Sequence, residues 1–278
     1  MTVALGLTTA LMWALTDLCN LVMTRRAGAY AGAFWLLACG LVPLAPAALL
    51  AEDWPAHVPA DAVAAALVAG VLDGVAVLCL LRALAVGSLA LVAPLAALEG
   101  GVAALGAIAL GADTTLLVAV GLALAVAGGA LASAVRDDEG LRRTADGAVW
   151  ALMSALAFGV VLLLLDPATE LGNLNATLVM RIAATVALLP VALRRHVVRF
   201  DLGIGRIALL AGTLDAVGFA IYAAAADRGP LSVAAVCAAQ FATFAAVIGL
   251  VVLKERLQPR QFVGIVVTLV GVTLLATQ

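Results

Sequence analysis

The 278 residues are 65% apolar and 12% charged, with a formal net charge of −2. Soluble domains are roughly half apolar, and no core of this size hides the surplus from water, so an ordinary soluble fold is excluded and lipid is the implied solvent. Basic residues sit in short segments between apolar runs rather than in a groove-sized patch, which argues against a nucleic-acid partner.

A span needs about 20 apolar residues to cross the hydrocarbon core. The sequence predicts ten, at 3–23, 29–50, 61–85, 88–110, 115–135, 146–165, 172–193, 204–226, 230–252 and 260–277. Only Met1 and Thr2 precede the first apolar run, and Arg25 and Arg26 follow it, the pattern of a retained first span rather than a signal peptide. Glu52, Asp53, two prolines and His57 break the chain after the second. Gly87-Ser88 and Gly229-Pro230 read as tight turns, 136–146 is the most charged stretch, and 194–206 is basic. Barrel strands would be shorter and would alternate, so the expected class is all-α integral membrane. Cys19, Cys39, Cys79 and Cys237 lie scattered in apolar stretches and read as small buried side chains. No cofactor or metal is expected.

The chain repeats itself. Residues 67–113 set against 209–255, at a constant offset of 142, give 14 identities in 47 positions without a gap. Alanine and leucine matches are cheap in this composition; the rarer ones persuade. LVAGVLD (67–73) faces LLAGTLD (209–215), so Asp73 pairs with Asp215, Gly87 with Gly229 and Asp113 with Glu255. ALMWAL (10–15) echoes ALMSAL (151–156), and Gly121 and Gly128 echo Gly264 and Gly271 with one inserted residue. The halves are therefore 1–139 and 140–278. Five spans per half make the second half enter from the opposite side, the inverted-repeat architecture of many secondary transporters, whose substrate site lies at the midplane seam. The seven-residue glycine spacings predict close helix contact.

In this arrangement nearly every arginine outside the spans, and Lys254, falls on one side, with Arg228 on the other. The positive-inside rule makes that basic side cytoplasmic and places both termini outside, in a multi-pass plasma (inner) membrane protein.

Four acids fall within spans: Asp17, Asp73, Glu99 and Asp215. An ionised acid at mid-helix costs about 2.5–3.5 kcal/mol on an insertion scale, so four call for pairing, protonation or a wet cavity. Asp73 and Asp215, near mid-span and repeat-related, are the first candidates, as a proton or cation site in each half. A structural hydrogen bond between helices is the competing reading. Asp215 shares a face with Phe219 and Tyr222, which suits an ammonium group; the matching face of Asp73 is aliphatic. Trp13 lies one turn before Asp17, with Asn20 following. Gln240, next to Phe241 at the position equivalent to Glu99, is a weaker candidate. Arg181, well inside a span, either holds a substrate carboxylate or neutralises an acid. Arg82, near a helix end, is expected to snorkel.

The repeated pattern resembles the EamA-like branch of the drug/metabolite transporter superfamily. The resemblance is carried by Gly229 to Gly271, with LKER (253–256) and GIVVTLVG, and by LEGGVAAL (98–105), LGAD (110–113) and GLALAVAG (121–128) in the first half. Gly100 stands where the family commonly has a proline after the glutamate, and Arg181 fits an arginine that members carry. The resemblance implies ten spans in two halves and secondary transport of small metabolites. It also implies cytoplasmic termini, against the arginine count. The expected function is a proton-coupled exporter of a small amine-bearing metabolite, an amino acid or an amphiphilic cation, acting as monomer or homodimer. A lipid-linked flippase and, further off, a membrane enzyme are the alternatives; no HExxH or Gly-x-Ser-x-Gly supports the last.

Overall fold

The computed structural model describes residues 1–86, 92, 95–111, 115–133, 141–197, 202–241, 243–244 and 259–276. The expected turn at Gly87, the boundary acids Asp113 and Glu255, and Lys254 lie outside them. The helices are α1 (Thr2–Ala27), α2 (Ala29–Ala51), α3 (Ala60–Val86), α4 (Glu99–Ala109), α5 (Leu116–Ser133), α6 (Leu141–Ala168), α7 (Asn173–Arg194), α8 (Leu202–Ala226), α9 (Leu231–Ala238) and α10 (Pro259–Ala276). No strand occurs among the described residues. Among the described residues, six helical segments are long and apolar enough to cross a membrane: α1, α2, α3, Asp146–Leu171, α7 and Gly203–Ala226. Their outer faces expose large apolar side chains such as Val68, Val71, Val186 and Leu210, as a lipid-facing surface requires.

The spans expected to run unbroken over 88–110 and 230–252 are interrupted. A tightened turn occupies Ala97 and Leu98, and another Ala239 and Gln240, 142 residues on. The backbone remains hydrogen-bonded there through i→i+3 contacts, Leu98 N to Leu95 O at 3.3 Å and Gln240 N to Cys237 O at 3.2 Å. The freed Val236 carbonyl accepts the Gln240 side-chain amide at 3.0 Å. The helical run is interrupted before Glu99 although Gly100, not proline, follows it. Gly100 instead lets α4 press onto α9: a Cβ there would strike Ala239 and the Ala235 carbonyl.

Small residues set the helix pairs. α1 packs on α8 and α6 on α3; α2 lies against α7 and α8, α4 against α9, and α5 against α10. The repeated AGxLD motif places a glycine one turn before each acid. Gly70 brings α3 onto the α7 backbone at Met180, and Gly212 brings α8 onto α2 at Gly40. The glycine spacings do mark close contact. A Cβ at Gly128 would meet the Thr268 backbone, and one at Gly271 would meet Ala125 and the Gly121 carbonyl. Gly128→Val is accordingly expected to lower stability by about 2–3 kcal/mol through overpacking, read as a fall in the detergent melting temperature, with Gly101→Val, set in ordinary contact with Val126, as the milder control.

The two ends of the bundle differ in charge. At one, the Arg82 guanidinium donates to the Tyr30 hydroxyl and lies 4.7 Å from the Trp150 ring, while Arg195 stacks on Tyr30 at 4.7 Å. Arg82 thus ties α2, α3 and α6 together rather than snorkelling. At the other end, the Glu52 carboxylate accepts the backbone N–H groups of Asn173 and Asn175 at 2.9 and 2.8 Å, capping α7 from the end of α2.

Candidate functional site

Seven segments converge on one cavity. α1 contributes Trp13, Thr16, Asp17 and Asn20, spaced at i, i+3, i+4 and i+7 on a single face. α8 contributes Asp215 and Phe219, one turn apart. Glu99 enters from the first residue of α4, just past the tightened turn, with Ala96 before it. Leu36, Val77 and Leu80 form the aliphatic wall, and Phe158 and Phe241 close it. The cavity volume is about 40 Å³.

The lining is chemically one-sided. Three carboxylates (Asp17, Glu99, Asp215) and four aromatic rings (Trp13, Phe158, Phe219, Phe241) face the space, and among the described residues no basic side chain does. Trp13 and Phe219 meet at 4.9 Å between ring centroids, inclined at 59°. Trp13 lies against Gly218, where a Cβ would strike the indole, and this glycine is what lets α1 seat the ring so close to α8. Asp17 accepts a 3.4 Å hydrogen bond from Asn20. Glu99 is buried.

Behind this wall lies a charge triad. Arg181 of α7 bonds Asp215 through Nη2 at 2.5 Å and stands 3.4 Å from Asp73 through Nη1. Its guanidinium carbon is 5.4 Å from the centroid of the Phe219 ring. Arg181 and Asp73 are fully buried, whereas the Asp215 side chain keeps 10% exposure. Neither Asp73 oxygen makes a hydrogen bond, and Arg181 Nε and Nη1 likewise make none. One guanidinium serves two acids here, so removing Arg181 strands both carboxylates.

The structure sorts the predicted residues by position. Trp13, Asp17, Glu99, Asp215 and Phe219 line the cavity. Asp73, Arg181 and Tyr222 stand one layer back. The repeat-related acids were expected to form a site in each half; they share one arginine instead. The Arg181 guanidinium contacts Asp215 and Asp73, and Arg181 is not among the described residues that line the cavity. Tyr222 stacks with Trp13 at 6.3 Å and donates its hydroxyl to the Leu162 carbonyl at 3.0 Å, away from the space. Gln240 is turned aside: its amide donates to Ala125 O and Val236 O, which ties α9 to α5. Phe158 and Leu36 were missed, and nothing in an apolar helix distinguishes a lining phenylalanine from a lipid-facing one. Phe241 was within reach, as the repeat equivalent of Glu99.

The sequence model of the EamA-like transporter family matches residues 145–277. No curated protein sequence matches the chain. Among 25 solved chains that match in structure, one, described only as a crystal structure of a protein, superposes with a TM-score of 0.77 at 14% identity, over 99% of this chain and 96% of its own. At that identity the likeness shows the fold alone.

Proposed function

We propose that this chain, which belongs to the EamA-like transporter family of the drug/metabolite transporter superfamily, is a proton-coupled exporter of a small amine-bearing metabolite. Membership and six apolar helices make it a multi-pass membrane transporter of small molecules; the substrate class, the coupling and the architecture that follow are our reading. The observation that carries it is the cavity lined by three carboxylates and four aromatic rings, with no basic side chain among the described lining residues. Rings and acids together attract an ammonium group, and a carboxylate substrate meets only repulsion there. This narrows the expected class from amino acids to amines without an acid group.

Ten spans in two inverted halves, 1–139 and 140–278, would rock about this cavity. The reciprocal packing of α1 on α8 and α6 on α3 supports that arrangement. Asp17, Glu99 and Asp215 would bind proton and substrate in turn, since an ionised acid inside a bilayer is costly until it is paired or protonated. The end carrying Arg82 and Arg195 would be cytoplasmic, leaving both termini outside the plasma membrane. A lateral groove between α2 and α8, lined by Trp35, Cys39, Val42, Arg206 and Leu209, shares no residue with the acid cavity and so does not favour a flippase.

Flux of a panel of radiolabelled amines into proteoliposomes under an imposed pH gradient tests the reading. The gradient is expected to speed amine accumulation, and Asp17→Asn with Asp215→Asn to abolish the effect. Transport indifferent to the gradient, or undiminished in the double variant, contradicts proton coupling.

A further inference from the structure

We propose that Arg181 is an exchangeable internal counter-ion, held by Asp215 in this structure and handed to Asp73 when a cationic substrate takes Asp215. The inference rests on the cation reading above. Asp215 has two demands on it: it lines the cavity, and it carries the only hydrogen bond that the Arg181 guanidinium makes to a carboxylate among the described residues. A substrate ammonium and the guanidinium cannot both own that carboxylate at close range.

The acceptor for the displaced arginine is already in place. Asp73 is fully buried, its two oxygens make no hydrogen bond, and Arg181 Nη1 and Nε are equally unused. Unmade bonds between buried ions that stand 3.4 Å apart are costly to leave so and easily made. Charge-assisted hydrogen bonds close at about 2.7–2.9 Å, so a guanidinium shift of about 0.6 Å completes the contact. Phe219 touches both sides of the exchange. Its ring lines the cavity and lies 5.4 Å from the guanidinium carbon, so as Arg181 withdraws, the ring is left to the substrate cation. The return of Arg181 to Asp215 then drives the substrate out. Asp73 becomes a positioning residue that never touches substrate, which accounts for an intramembrane acid with no exposure to the cavity.

The test is a double-mutant cycle on the affinity of the purified full chain for benzyltrimethylammonium, a permanently charged aromatic cation. Affinity is read as Kd on the folded, monodisperse fraction, so that loss of protein does not enter. Asp73→Asn is expected to weaken binding about tenfold or more, because Arg181 then has nowhere to go. Adding Arg181→Gln is expected to restore or exceed the original affinity, because Asp215 is released. Losses that add, with the double variant as weak as Asp73→Asn, overturn the proposal while leaving the cation site standing. No binding to the unaltered protein overturns both. The structure of the unaltered protein with the same cation is the second measurement: Arg181 hydrogen-bonded to Asp73 and parted from Asp215 is expected, and an unchanged Arg181–Asp215 bond is fatal to the proposal.

Discussion

Arg181→Ala is expected to destabilise the protein by about 3–5 kcal/mol, the usual cost of breaking a buried ion pair by removing one member. The reason is local. Arg181 is the counter-charge of two acids, one at 2.5 Å and one at 3.4 Å. Without it Asp73 and Asp215 face each other across an apolar interior built of alanine, leucine and glycine. The loss should appear as a drop of about 10 °C in the melting temperature of the detergent-solubilised protein. Adding Asp73→Asn and Asp215→Asn should recover most of it, since the triple variant leaves no buried charge unmatched. A drop that persists in the triple variant would show that the guanidinium acts through packing on Phe219 instead.

Asp215→Asn is expected to do the opposite: it spares the fold and removes the activity. Arg181 retains Asp73 as counter-ion, so the interior keeps one matched pair. The cavity loses the carboxylate that sits beside the aromatic wall. An ammonium 4 Å from a carboxylate gains about 4 kcal/mol at an effective dielectric of about 20 before desolvation is charged against it. Half of that surviving corresponds to a loss of about 30-fold in affinity. The apparent affinity for amine in a counterflow assay should therefore fall by roughly that factor, with the melting temperature within a few degrees of the original. Amine exchange at the original affinity would remove Asp215 from the substrate site.

Much of this was legible in the sequence, and the limits have physical causes. The long spans were readable because lipid demands length and apolarity, and the predicted and observed bounds of α1, α2 and α3 differ by only a few residues. The AGxLD motif was readable as a repeat, but its work was not. Only the contacts at Met180 and Gly40 reveal that each glycine is there to seat its helix beside an acid. The triad was invisible because its members come from α3, α7 and α8, and spacing along a chain says nothing about which of three helices turn their polar faces together. For Arg181 the sequence leaves two roles open, and which acids it stands beside emerges only from the helix packing. Gln240 misled through its polarity alone. In an apolar helix a glutamine draws the eye, yet this amide is spent on the carbonyl that a tightened turn leaves unbonded. The cation stacking of Arg82 and Arg195 on Tyr30 and Trp150 lay hidden for the same reason as the triad.

The account stands on the cavity wanting a positive charge and refusing a negative one. Isothermal titration of the purified protein with phenethylamine, its N-acetyl derivative and phenylalanine tests that directly, because the three keep the ring and change only the charge. The account predicts that phenethylamine binds and that the neutral amide and the amino acid each bind at least about tenfold more weakly. Phenylalanine binding as tightly as phenethylamine, or the amide binding as tightly as the amine, would contradict it.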